Sequence, residues 1–144
     1  MASFNKFQQF AYDLCEKVHN LNSDTLNVGL SNTAPSASLN KVWADITEIS
    51  AGNGYSAGGA SAGVSGGTSS GTFTLTGTNV TWTASGGTIG PFQYVVLYNT
   101  STSPNTKPLI GWWDYGSALT LNSGDSFTVK FNGGASSGTI LTVA

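Results

Sequence analysis

Charge is the scarcest commodity in this 144-residue chain: charged residues make up 8%, against roughly a quarter in ordinary soluble domains. There is no arginine, and the five lysines are scattered. With a net charge of -2 they cannot neutralise a row of phosphates, so nucleic acid is excluded as a partner. The one cysteine, Cys15, closes no bridge within its own chain, which excludes a disulfide scaffold. His19 is the only histidine. A zinc site needs three or four suitable ligands, so no metal or other cofactor is expected. No run approaches the roughly 20 continuous apolar residues that cross a bilayer, and no membrane partner is expected either. The start, Met1-Ala2-Ser3-Phe4-Asn5-Lys6, lacks the basic, apolar and cleavable regions of an export signal. The expectation is a protein made and folded in a cytoplasm.

What is present is apolar and small. Hydrophobic residues stand at 39%, with 7 Phe, 5 Tyr and 4 Trp, enough apolar area for a core and against disorder. Gly contributes 19 residues, and Ser and Thr together about twice that number. The length suits one ordinary domain. The charges cluster at the front: Lys6, Asp13, Glu16, Lys17, Asp24, Lys41, Asp45 and Glu48 come early, and none stands between Ile49 and Thr106.

The first segment reads as a helix. Phe4, Phe7, Ala11, Leu14, Val18 and Leu21 recur at steps of three and four, one stripe of an amphipathic α-helix. Ser3 suits its N-cap, and Asn20 to Asp24 is a polar stop. This spacing assigns residues 1–22 to an N-terminal helix that packs on its own domain or forms an oligomer contact. Cys15 and His19 are expected to be bystanders, the first a small buried side chain, the second decorating the helix end.

Residues 23–144 read as one β domain. Leu26, Val28 and Leu30 alternate with polar neighbours. Trp43, Ile46 and Ile49 follow, before a turn at Gly52-Asn53-Gly54. Ala57 to Gly71 reads as a loop. Thr72–Leu75 and Val80–Thr83 flank Gly77-Thr78-Asn79 in the manner of a hairpin. Phe92–Tyr98, Leu109–Tyr115, Ser126–Phe131 and Thr139–Val143 complete about eight short strands at near-regular spacing. The pattern predicts an antiparallel β-sandwich or jelly roll preceded by one helix.

Chemistry finds little purchase. No G-x-S-x-G elbow accompanies His19. Gly52-Asn53-Gly54-Tyr55-Ser56-Ala57 has the letters of a dinucleotide fingerprint, but Ala57-Gly58-Gly59-Ala60 cannot begin the helix that such a site needs. Asp45 and Glu48, three residues apart, would face opposite sides of a strand rather than one cleft. Trp112, Trp113, Asp114 and Tyr115 are the candidate binding residues, because aromatics beside a carboxylate stack on and hydrogen-bond to sugars. In a strand, Trp112 and Asp114 share one face and Trp113 and Tyr115 the other. No catalytic residues are expected.

Several blocks carry a resemblance. Leu26-Asn27-Val28-Gly29-Leu30-Ser31-Asn32-Thr33-Ala34-Pro35, Trp43 through Tyr55, Phe92–Tyr98 with Leu109–Gly116, and Leu121-Asn122-Ser123-Gly124-Asp125-Ser126-Phe127 occur in this order. Together they resemble a family of small structural proteins of tailed-bacteriophage virions, over roughly residues 24 to 144. The resemblance implies a non-enzymatic, jelly-roll-like capsid decoration (cement) protein. It would bind the major capsid protein on the outside of the head, as a homotrimer, after synthesis in the host bacterial cytoplasm. The alternative is a tail or fibre module that recognises host glycans through Trp112, Trp113, Asp114 and Tyr115.

Overall fold

The structure is a computed structural model and describes residues 2–144. In chain order the elements are β1 (Asn5–Lys6), α1 (Gln8–Cys15), β2 (Leu26–Ser31), β3 (Ala60–Ser61), β4 (Ser65–Ser69), β5 (Thr72–Thr78), β6 (Val80–Thr83), β7 (Ile89–Asn99), β8 (Leu109–Leu121), β9 (Ser126–Val129) and β10 (Ser137–Val143). A five-stranded sheet has the order β1-β8-β7-β2-β3. Across the core lie a three-stranded sheet, β10-β5-β4, and a two-stranded one, β6-β9. Every pairing is antiparallel. The fold is a mainly β sandwich with one helix near the N-terminus, as expected.

The period-2 alternation of strands explains how the large sheet is buried on both faces. On β7, Val95 and Leu97 turn into the main core between the sheets, while Val96 and Tyr98 turn to a second, smaller core on the far side. β8 follows the same register, with Trp113 opposite Val95 and Trp112 opposite Val96. A bulge at Ile110 shifts the pairing from Leu97–Gly111 to Tyr98–Leu109, so that Ile110 and Leu109 still reach their separate cores. The second core is closed by Phe7 and Trp43. The Trp43 ring stacks on Tyr98 at 4.2 Å and 15°. It also lies against the bare backbone of Gly29, where a Cβ would approach Cζ2 to 2.9 Å and Cη2 more closely still.

The front of the chain departs from its periodicity. The helix spans Gln8–Cys15 only, shorter than the ~12–15 residues that an isolated helix needs. Tertiary packing therefore decides where it begins. Phe7 takes extended angles, φ -70 and ψ 142, because its ring is fully buried and packs on Trp112 at 4.6 Å. Phe4 precedes β1, where it covers side-chain-free Gly111 and meets Trp113 at 5.3 Å. The buried helix face is Phe10 and Asp13, with Leu14 half-buried and Ala11 exposed. Lys17, at φ 63, ends the helix, and the Val18 N–H returns to the Asp13 carbonyl. Val18 and Leu21 follow in the turn. The six-residue stripe is thus no single helical face, although Leu21 joins the main core and Leu14 packs against it.

Other corrections concern the second layer. Thr72–Leu75 and Val80–Thr83 do not form a hairpin: β5 pairs with β4 and β10, and β6 with β9. Asn79 redirects the chain there, with its amide group donating to the Ala135 carbonyl at 2.9 Å. The glycine-rich stretch after Ala57 contains β3 and β4 rather than a loop alone. Trp43–Asp45 is a 3-10 turn, not a strand, because the Asp45 carboxylate accepts from the Lys41 and Val42 N–H groups at 2.8 and 3.1 Å. The same two bonds hold its carboxyl below the usual range.

Candidate functional site

The residues proposed from sequence do not assemble into one aromatic surface. Alternation places Trp112 against Phe7 in the second core and Trp113 in the main core, where it is 8% exposed. Asp114 is exposed and already engaged: its Oδ1 accepts from the Gln93 amide at 2.9 Å and from the Gly116 N–H at 2.8 Å. Tyr115 is the exposed aromatic of the four, at 53%, and Trp112 is half-buried. It stands where β8 bulges: Phe92 pairs with Leu119 and Tyr94 with Asp114, leaving Tyr115 to Ala118 outside the ladder.

Tyr115 does border a cleft of about 290 Å³. One wall is β8, with Trp113 and Tyr115; the other is β9 and the turn after it, with Phe127, Val129 and Phe131. Aromatic pairs reach across it, Tyr115–Phe127 at 5.7 Å and Trp113–Phe131 at 5.5 Å. Lys130 supplies its one charge among the described lining residues. Sequence reasoning found Trp113 and Tyr115. It missed Phe127 and Phe131, whose approach depends on the pairing of β9 with β6.

His19 is not a helix-end decoration. It is buried beyond the helix, with 6% exposure. The Asn99 amide group donates to Asp24 Oδ2 at 2.6 Å and lies 3.0 Å from His19 Nδ1. Both amide hydrogens are thereby used, so Nδ1 accepts and the proton sits on Nε2, which has no partner. Burial holds the His19 pKa below its ordinary value, and the Asp13 and Asp24 charges oppose that shift. The arrangement ties the turn after α1 to the end of β7. Cys15, expected to be buried, is exposed because the helix turns its Phe10–Asp13 face inward.

A second polar cluster closes the Trp43–Gly58 segment. The Tyr55 hydroxyl donates to Glu48 Oε1 at 2.8 Å and accepts from the Leu30 N–H at 3.0 Å. The Gly58 N–H also donates to Glu48 Oε1, and the Tyr98 hydroxyl donates to the Gly58 carbonyl. Burial raises the Tyr55 and Tyr98 hydroxyl pKa values, so both stay protonated donors. The geometry is that of a strut: each donor is matched to an acceptor within the chain.

Among the described residues no three His, Cys, Asp or Glu side chains group as a metal site, and no helix is long and apolar enough to cross a membrane. Comparison with protein-family models, curated proteins and solved structures finds no match.

Proposed function

We propose that this protein is a structural component of a tailed-bacteriophage particle: a capsid decoration protein, working as a homotrimer, that binds the outside of the head through contacts with the major capsid protein. The observation that carries the reading is the ordered set of sequence blocks, together with the way their residues are spent. Gly29 and Trp43 pack on each other, Glu48 and Tyr55 brace Leu30 and Gly58, and Val96, Tyr98 and Trp112 fill the second core. The recognisable residues thus build a rigid body and leave its surface to do the work.

The surface suits adhesion. Few buried ions would need partners at an interface, and unpaired buried charge is what makes such contacts costly. A protein of this kind adds free energy only in the assembled shell, because it binds that state and not free subunits. Three weak contacts held in one trimer gain about 10²–10⁴ in avidity over one, and a symmetric oligomer makes them equivalently on a local symmetry axis.

The test is reconstitution. Purified protein added to heads stripped of it is expected to rebind and to raise the temperature at which they release DNA. Binding to isolated tails with none to heads would overturn the reading. The glycan alternative has little support: Trp112 faces the second core, Asp114 is internally bonded, and the remaining cleft is mostly apolar.

A further inference from the structure

We propose that Asn132 is a site of covalent self-modification: its side-chain amide is lost to attack by the next backbone nitrogen, leaving an aspartyl or isoaspartyl residue. The reaction needs an unhindered nucleophile one residue on. Glycine supplies it, because it has no side chain to crowd the ring that forms. Two asparagines of the chain precede glycine, Asn53 and Asn132. Both are exposed, and both take left-handed angles, φ 57 and φ 49. Motif, exposure and the hand of the backbone therefore do not separate them.

Their tethers do. The Asn53 amide group donates to the Thr88 carbonyl at 3.0 Å, and the Asn53 carbonyl accepts from the Ser85 N–H at 2.9 Å. Gly87 lies so close to that side chain that a Cβ on it would come within 2.6 Å of Nδ2. Gly54, which carries the nucleophile, packs its bare Cα against the Thr83 carbonyl. Ring closure at Asn53 must first break this set of contacts, a local opening with its own free-energy cost. Asn132 stands in the 3-10 turn Phe131–Gly133 without such a hold. Its exposed side chain has no hydrogen-bond partner among the described residues, and the Gly133 N–H reaches the Lys130 carbonyl only at 3.4 Å, beyond the usual range of about 2.7–3.2 Å.

The chemistry uses solvent alone. Hydroxide takes the Gly133 N–H proton, and the freed electron pair forms a bond from that nitrogen to Asn132 Cγ. The Cγ–Nδ2 bond breaks, and Nδ2 leaves as ammonia with a proton from water. Water then opens the cyclic imide. Cleavage at Cγ restores the ordinary main chain with an aspartate side chain, and cleavage at the backbone carbonyl routes the main chain through Cγ as isoaspartate. Either product adds one negative charge to a chain of net charge -2. The isoaspartyl link also lengthens the main chain by one carbon, at a place where the fold has no slack. The neighbouring Phe131 ring is buried against Trp113 at 5.5 Å, and Gly138 of β10 packs its bare Cα on the Phe131 carbonyl.

The test holds the full chain in warm, mildly alkaline buffer and follows both sites by peptide mapping with mass spectrometry, isoaspartate being labelled by its methyltransferase. Asn132 is expected to convert at least about tenfold faster than Asn53, because the Asn53 tethers must open first. In guanidinium chloride the tethers are gone, and the two rates should draw together. Asn132→Gln should abolish the fast reaction, and the purified isoaspartyl form should melt below the Asn132→Asp protein, which carries the charge without the extra carbon. Four results would each overturn the proposal: equal rates in the folded chain, Asn53 reacting first, a rate difference that survives unfolding, or no reaction at Asn132 where the unfolded chain reacts. An isoaspartyl form that melts together with Asn132→Asp would overturn its structural consequence.

Discussion

Gly29→Ala puts the interlock between β2 and the Trp43 turn to the test. The new Cβ would lie 2.9 Å from Trp43 Cζ2 and nearer to Cη2, where Cβ contacts under 3.0 Å are essentially never seen. The ring cannot retreat freely, because it is stacked on Tyr98 at 4.2 Å in the second core. Overpacking costs about 2 kcal/mol, and loss of the stacked pair about 1 kcal/mol. Removing a glycine returns about 0.5 kcal/mol through the unfolded chain. The net is a destabilisation of about 2.5 kcal/mol, which lowers the melting temperature by roughly 7 °C for a domain of this size. Thermal unfolding followed by near- and far-ultraviolet circular dichroism reads it. Trp43→Leu removes the obstacle, so in that background the alanine should cost at least about 1 kcal/mol less. A Gly29→Ala protein as stable as its parent, or more so, refutes the packing argument.

Tyr55→Phe strands the Leu30 N–H and leaves Glu48 Oε1 with the Gly58 N–H alone; a loss of about 1–3 kcal/mol is expected in urea, and an unchanged midpoint would contradict the strut. Burial holds the folded His19 pKa below the ordinary 6.5 that it has when unfolded. Stability should therefore be full above pH 6.5 and decline as the pH falls below it, since the unfolded chain then takes up the proton first. His19→Gln should flatten that decline, and an equal slope in both proteins would sink the explanation. Deleting residues 1–21 removes Phe7, Phe10 and Leu21, all buried, at about 1.5–3 kcal/mol each. Because whole domains are stable by only 5–15 kcal/mol, the truncated chain should lose its near-ultraviolet signal; a folded monomer would show that the segment serves assembly alone.

The sequence made the sandwich legible wherever one strand alternates cleanly. Leu26, Val28 and Leu30 point to β2, and Phe92 to Tyr98 point to a strand buried on both faces. Alternation also separated Trp112 from Trp113 correctly. Partners were less legible than strands. β5 and β6 look like a hairpin because only Asn79 divides them, yet β5 joins β10 and β6 joins β9, both far along the chain, and nothing local encodes that choice. The N-terminal stripe misleads for a physical reason: Phe4 and Phe7 gain more by covering Gly111 and Trp112 than a short helix gains by continuing. The glycines of β4 hide a strand, since propensity is weak where pairing supplies the order. The cleft was half visible, through Trp113 and Tyr115, and its other wall came only with the long-range pairing of β9.

The central claim is adhesion to a phage head, and the measurement that meets it most directly is an image reconstruction of purified, mature particles. Density for this sandwich is predicted on the exterior of the head, in threefold clusters over the coat lattice. Particles that lack the protein altogether, or that carry it only on the tail, would contradict the claim.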